Sequence, residues 1–261
     1  MKNLFYHLLL IACLAIVNLA SIDKVHAQNL ERFQNEVDAI VERYAQYGKK
    51  SGNDTFNTAT HNEQNLAVFT GSSSVRLWAS LSDDFPELTI LNTGFGGSTY
   101  AELFHYRDQL IGQYTPDMVI IYEGDNDVTG SDTVDEIFTK AQELYSYFAQ
   151  ELPETKVYIL AAKPSPLRWN LKPLYDALNG HFADFAEKND QFSYIDIWNP
   201  MLGENGKPLP SIFLSDSLHM NEAGYLIWKQ PIAPFLQVSK WYDEAMLLSY
   251  AFLPWNCDEL Y

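Results

Sequence analysis

The chain has 261 residues, of which 47% are hydrophobic and 20% charged, and its formal net charge is −17. This length is enough for one α/β domain with a sizeable core. The acidic surface argues against nucleic acid or an anionic membrane as a partner. The two cysteines have no metal-site spacing, and we predict no metal site and no cofactor.

The first 27 residues have the features of a secretory signal peptide. Lys2 is followed by the apolar run Leu4–Ala20, and Val25-His26-Ala27 is a small-residue cleavage site. We therefore expect an exported protein, periplasmic or extracellular after cleavage near Ala27. A retained membrane anchor is the alternative, and lipid attachment at Cys13 is disfavoured because apolar residues follow that cysteine.

The predicted elements then follow a regular order. Asn29 to Lys50 has the apolar spacing of an amphipathic helix, and the polar stretch that follows it predicts a loop. Beyond the loop, apolar strand candidates alternate with helix candidates. The strands are predicted at Leu66–Thr70, Leu88–Asn92, Met118–Tyr122, Lys156–Ala161 and Tyr194–Ile197, and the helices at Val75–Leu81, Tyr100–Ile111, Val134–Leu152, Leu171–Glu187 and from Asn221 onwards. This alternation predicts a parallel five-stranded sheet with helices on both faces.

We divide the chain into four parts: a signal peptide at 1–27, an N-terminal helix and linker at 28–64, an α/β domain at 65–238, and an apolar extension at 239–261. The extension is too apolar for a free tail, and we expect it to dock on the domain. A dimer face or a lipid contact stays open for this extension, and the sequence does not predict an oligomeric state.

Polar residues follow every predicted strand. In a parallel sheet, ligands bind beyond the carboxyl ends of the strands. We therefore expect these polar stretches to meet at one edge and to form an active site; they are Gly71–Ser74, Thr93–Ser98, Glu123–Asp127, Lys163–Ser165 and Ser215–His219.

Two of these stretches have the residues of a nucleophile and its base. Gly71–Ser74 lies where a strand passes into a helix, a junction that presents N–H groups and a positive dipole end to the crevice. The alternative is that these serines only cap the helix. Asp216 lies three residues before His219, so its carboxylate can orient one ring nitrogen while the other takes a proton from a serine. A surface turn with an incidental histidine is the alternative.

Two other stretches offer donors for an oxyanion. The turn Asn92–Thr99 is rich in glycine, which permits close backbone approach and makes the Gly97 N–H a candidate donor. The same glycines can instead serve only the turn. Asn126 follows the third strand and offers its side-chain amide. Residues Asp125–Glu136 also match several positions of a calcium loop, which is a rival interpretation.

A proline-braced loop follows the fourth strand. It contains Lys163, Arg168 and Trp169, which are candidates for lining a substrate pocket. The loop can equally be a stiff connection.

Taken together, Gly71-x-Ser73, Gly97 in its turn, Asn126 in Gly-Asp-Asn-Asp, and Asp216-x-x-His219 resemble the SGNH branch of the GDSL hydrolases, in motif order and strand context, from about Leu66 to Pro234. The resemblance implies a three-layer α/β/α, flavodoxin-like fold with strand order 2-1-3-4-5. It also implies a serine esterase in which Ser73 is the nucleophile, His219 the base and Asp216 its partner. The oxyanion donors would be Ser73 N–H, Gly97 N–H and the Asn126 amide.

Ser72 and Ser74 replace the Asp and Leu of the Gly-Asp-Ser-Leu signature, so Ser73 is chosen by position among three serines. The family's breadth leaves the substrate open as a small-molecule, lipid or glycan ester. Because we expect the enzyme to be exported, we favour short-acyl or acetyl esters of glycans as its substrates. An acyltransferase of the same fold and a non-catalytic, calcium-dependent binding protein are the alternatives.

Overall fold

The computed structural model describes residues 30–48 and 65–236; the predicted signal peptide, the linker after residue 48 and the C-terminal extension lie outside them. Five parallel strands form one sheet in the order β2-β1-β3-β4-β5. Their bounds are β1 Leu66–Gly71, β2 Thr89–Asn92, β3 Met118–Tyr122, β4 Lys156–Leu160 and β5 Phe192–Ile195. The predicted parallel sheet and its order are confirmed. The two central strands, β1 and β3, are buried along their whole length, as their apolar runs require.

Seven α-helices occur in the described residues. They are α1 Gln34–Arg43, α2 Ser73–Arg76, α3 Leu81–Asp84, α4 Tyr100–Leu110, α5 Val134–Glu151, α6 Lys172–Glu187 and α7 Glu222–Leu236. Capping boxes begin α4 at Thr99 and α5 at Thr133, and each satisfies otherwise free N–H groups of the first turn.

The helices form two layers around the sheet. The connections from β2 through β5 all advance in one direction, so right-handed crossovers place α4, α5 and α6 on one face, where they pack side by side. The β1-to-β2 connection runs the other way and lies on the opposite face. There, Trp78 packs edge-on against Trp228 of α7, with ring centroids 5.9 Å apart. The result is the predicted three-layer α/β/α arrangement.

The N-terminal helix is shorter than predicted but uses the expected face. Instead of one helix over 29–50, α1 spans Gln34–Arg43 between short 3₁₀ turns at Glu31–Phe33 and Ala45–Tyr47. Val37 and Ile40 are buried against the domain, and Phe33, Val41 and Tyr44 pack at its edge.

The predicted helix Val75–Leu81 is wrong. The chain leaves α2 after Arg76 and forms the separate turn α3. Trp78 lies between them with 2% exposure, stacks on Tyr225 at 5.2 Å, and donates from Nε1 to Asp84 at 2.8 Å. Burying the indole this way requires a break in the helix. A helix of four residues has little macrodipole. At the serine turn, only the free N–H groups of the first turn therefore remain to attract a negative charge.

The fifth strand is displaced from the predicted Tyr194–Ile197. It runs from Phe192 to Ile195, because Asp196 turns the chain by accepting hydrogen bonds from the N–H groups of Trp198 and Asn199 at 2.8 and 3.1 Å.

Candidate active site

The serine turn is held tightly against β3. Gly71 ends β1 with φ of 118°, and a Cβ at this position would lie 2.0 Å from the carbonyl oxygen of Tyr122. This close approach lets Ser72 N–H donate to that oxygen at 3.0 Å. The next residue, Ser73, begins α2 at the carboxyl edge of the sheet, as predicted.

The three serines differ in their surroundings. Ser72 and Ser74 are 1% exposed, and their hydroxyls have no hydrogen-bond partner among the described residues. Ser73 is only partly buried, and its Oγ lies 2.9 Å from Nε2 of His219. Ser73 is therefore the one hydroxyl of this turn in contact with a base.

A tight turn in the long segment after β5 holds the histidine and its carboxylate together. Asp216 Oδ2 accepts from Nδ1 of His219 at 2.6 Å, and Oδ1 accepts from the N–H groups of Leu218 and His219 at 2.9 Å each. These hydrogen bonds, that from the His219 ring first, lower the pKa of Asp216 to about 2. The carboxylate is thus ionised at neutral pH and fixes the tautomer in which Nε2 accepts from Ser73.

The glycine turn and Asn126 lie together, as predicted. Asn126 Nδ2 donates to the carbonyl oxygen of Ser98 at 2.9 Å, and this bond uses one of its two hydrogens. Gly97 has φ of 74°, and the space where its Cβ would lie is open to 4 Å. Within the described residues, the space beside Gly97 is therefore free of other side chains.

The N-terminal segment holds this glycine turn, a contact that sequence reasoning missed. Arg32 Nη2 donates to Gly97 O at 3.1 Å, and Gly96 N–H donates to Glu36 at 3.1 Å. Phe33 packs edge-on against the buried ring of Phe95 at 5.1 Å. We call Arg32, Phe33 and Glu36 the N-terminal clasp. The amphipathic pattern predicted a packed helix but did not indicate its target.

Two of the three predicted pocket residues bind a buried carboxylate. Lys163 has no exposed surface, and its Nζ pairs with Asp125 at 3.0 Å. Arg168 pairs with the same carboxylate at 2.6 Å and reaches Asn126 Oδ1 at 3.1 Å. The pocket-lining role predicted for Lys163 is therefore wrong, because this side chain is fully buried, whereas the Arg168 side chain is partly exposed and its contact with substrate stays a prediction.

Trp169 does line a cavity. Its ring stacks on Trp198 with centroids 6.0 Å apart. A cavity of about 600 Å³ lies beside it, bordered by Pro166 and by polar residues that include Glu204, Asn205 and Lys207. The loop of Trp169 adjoins the histidine loop, since Leu167 N–H donates to Ser217 O at 3.1 Å.

A second cavity, of about 810 Å³, is a groove whose lining includes Leu77, Leu214, Met220 and Leu226. Leu77 N–H bonds the carbonyl of Ser73, and Leu214 N–H bonds the carbonyl of His219. The groove thus has main-chain connections to both Ser73 and His219.

The calcium-loop interpretation of Asp125–Glu136 is wrong. Asp125 is neutralised by two cations, Asp127 is buried and accepts from Tyr100 N–H at 3.1 Å, and Glu136 caps α5. These carboxylates do not converge. No group of three or more potential metal-ligating acids, histidines or cysteines is found in residues 30–48 and 65–236.

A pair of buried acids lies beneath the glycine turn. Glu123 is completely buried and accepts a short hydrogen bond from Ser98. Burial first, and then the charge of Asp127, raises the pKa of Glu123 well above its usual range. Burial likewise raises the pKa of Asp127. The sequence placed both acids after β3, but it gave no sign that they would be enclosed.

The sequence matches a known protein family. A model of the GDSL-like lipase/acylhydrolase family matches residues 58–227. No curated protein matches the sequence. Within the part of the chain that the structure describes, no helix combines the length and apolarity needed to cross a bilayer.

Several solved structures share the fold. A Streptococcus pneumonia protein provisionally described as a platelet activating factor is 20% identical, with a TM-score of 0.64 over 81% of this chain and 98% of that chain. A GDSL-like lipase from Bacteroides thetaiotaomicron is 21% identical, with a TM-score of 0.59 over 76% and 97%. A catalytic mutant of an acetylxylan esterase from Geobacillus stearothermophilus is 16% identical, with a TM-score of 0.53 over 67% and 95%.

Proposed function

We propose, given that the chain belongs to the GDSL-like lipase/acylhydrolase family and is a hydrolase of ester bonds, that Ser73, His219 and Asp216 are its catalytic triad. The observation that carries this proposal is the continuous chain of hydrogen bonds from Ser73 Oγ through both ring nitrogens of His219 to Asp216. A serine, an imidazole and a carboxylate in this order match the roles that acyl transfer requires.

In the proposed reaction, Ser73 Oγ attacks the ester carbonyl carbon while His219 Nε2 takes the hydroxyl proton. The Ser73 N–H, the Gly97 N–H and the Asn126 amide stabilise the oxyanion. As the tetrahedral intermediate collapses, His219 gives its proton to the leaving alkoxide, and the acyl group remains on Ser73. A water molecule, deprotonated by His219, then releases the carboxylic acid and restores Ser73.

The test is hydrolysis of p-nitrophenyl esters by the parent protein, Ser73→Ala and Ser72→Ala. We expect Ser73→Ala to lose turnover while Ser72→Ala keeps it, because the Ser72 hydroxyl is buried and contacts no base. Turnover that survives in Ser73→Ala would refute the assignment. A folded parent protein that is inactive on every ester, with acyl transfer to an added sugar, would favour the acyltransferase alternative.

We further propose short-acyl or acetyl esters as substrates. A series from acetate to octanoate tests the acyl part. Turnover that falls with chain length supports the proposal. Turnover that rises with chain length would contradict it and would make the groove of Leu77, Leu214 and Leu226 the candidate site for a long acyl chain.

For the alcohol part we propose a glycan. The support is the cavity beside Trp169, whose lining also includes the hydrogen-bonding side chains of Glu204, Asn205 and Lys207. We expect acetylated oligosaccharides to be hydrolysed faster than p-nitrophenyl acetate, with Trp169→Ala lowering only the former. Equal losses on both substrates would argue against a sugar-binding role.

The signal-peptide pattern of residues 1–27 supports a further proposal, export to the periplasm or the exterior. N-terminal sequencing of the protein from cell fractions tests it, and a mature N-terminus near Gln28 in the exported fraction is the expected result.

A further inference from the structure

The side-chain amide of Asn126 is fixed at both ends. Its Nδ2 donates to Ser98 O at 2.9 Å, and its Oδ1 accepts from Arg168 Nη2 at 3.1 Å. A guanidinium only donates, so this contact determines which end of the amide is oxygen. Because the amide plane is fixed by these two contacts, the second hydrogen on Nδ2 can point in only one direction.

Arg168 is itself held firmly by Asp125. Its Nη1 donates both to Asp125 Oδ1 and to the Asp125 carbonyl oxygen, each at 2.6 Å. The same planar group thus binds two consecutive residues, Asp125 and Asn126. Lysine has no such fork, because its ammonium is a point charge on a flexible stem.

Asp125 is fixed in turn by groups beneath it. Lys163 donates to Oδ2 at 3.0 Å, Tyr122 donates to the same oxygen at 3.0 Å, and Tyr175 donates to Oδ1 at 2.5 Å. Burial alone would raise the pKa of Asp125, but the charges of Lys163 and Arg168 outweigh it and hold that pKa below its usual range. The Arg168 guanidinium therefore places a positive charge directly against the Asn126 amide.

We propose that Arg168 is a positioning residue for the oxyanion hole, acting through Asn126. It holds the amide with one N–H directed at the developing oxyanion, and its charge polarises that N–H in a largely buried site. Arg168 does not touch substrate in this role, which differs from the pocket-lining role that the sequence predicted. The inference rests on the proposed esterase function.

The decisive experiment is a double-mutant cycle on p-nitrophenyl acetate with Arg168→Met, Asn126→Ala and the double variant. Asn126→Ala is expected to lower kcat about a hundredfold, as removal of one oxyanion donor does. Arg168→Met should lower kcat by roughly tenfold or more with little change in KM. In the Asn126→Ala background the same change should cost less than about threefold, since residues that act through one contact are not additive.

Two controls separate positioning from folding. Arg168→Lys keeps a charge near Asp125 but lacks the fork, so we expect it to retain the melting temperature and still show most of the decrease in kcat that Arg168→Met shows. Arg43→Met, at an exposed arginine of α1, should change neither quantity. If Arg168→Met fails to fold, Arg168→Lys takes its place in the cycle.

Three outcomes would overturn the inference. They are an equal loss from the Arg168 change with and without Asn126, a rise in KM with unchanged kcat, and full activity of Arg168→Lys. An inactive parent protein would instead refute the proposed function, so the two failures are distinguishable.

Discussion

A methyl group at Gly71 would have no room in this structure. The Cβ would lie 2.0 Å from the Tyr122 carbonyl oxygen and 2.7 Å from its carbon, whereas unstrained contacts between heavy atoms lie near ~3.5 Å. β1 and β3 would have to separate at the hydrogen bond from Ser72 N–H. We estimate about 1–2 kcal/mol for the left-handed φ and about 1–3 kcal/mol for each unpaired buried group. Gly71→Ala should therefore lose roughly 4 kcal/mol or more of unfolding free energy.

Gly97→Ala is the matched control, because its φ of 74° carries the same kind of strain without a steric contact within 4 Å. It should lose only about 1–2 kcal/mol. At about 2–4 °C per kcal/mol for a chain of this size, thermal unfolding by circular dichroism should show a decrease of roughly 10 °C or more for Gly71→Ala and several-fold less for Gly97→Ala. Equal decreases would refute the steric argument.

Three further changes test other features. Asp216→Asn should lower kcat by about a thousandfold or more, because an amide facing Nδ1 of His219 favours the wrong tautomer; steady-state kinetics check this, and a loss below about tenfold would contradict the assigned role. The Glu123 carboxyl stays protonated in the folded protein at pH values where it ionises in the unfolded chain. The free energy of unfolding should therefore fall as the pH rises above 4.5, the usual pKa of this group. Glu123→Gln should flatten that fall in urea unfolding at pH 5 and pH 8, and parallel profiles would count against it. Thr133→Ala removes the cap of α5 and should cost about 1 kcal/mol in the same assay, whereas no change would mean that the cap is not stabilising.

The parallel sheet was predictable because short, mainly apolar strand candidates alternate with helix candidates along the chain. The resemblance in motif order then implied the sheet order that the structure has. Ser73 was predictable because it lies directly after a strand, and Asp216 and His219 because they lie in the loop segment beyond another strand; parallel topology brings such sequence-distant loops together. The structure places them in one hydrogen-bonded chain, and their catalytic roles stay a prediction.

What the sequence could not indicate were the long-range choices of individual side chains. The apolar residues Val75, Leu77, Trp78 and Leu81 recur at helix-compatible spacing, but the indole of Trp78 is buried against α7 and the helix is interrupted there. The cations of the proline-braced loop looked available to a substrate, although a buried carboxylate more than thirty residues away binds both. Such pairings depend on where a side chain points after folding, which local patterns do not record.

The N-terminal clasp has a consequence for the limits of the functional unit. The family match begins at residue 58, so the residues that bind Gly96 and Gly97 lie outside it. In this protein the segment acts as a tethered ligand of its own glycine turn, and tethering substitutes for millimolar concentrations of a free peptide. A domain that is excised at the boundaries of the family match, for fusion to another protein, would lack the N-terminal clasp. The complete functional unit is therefore longer than the segment that the family match covers.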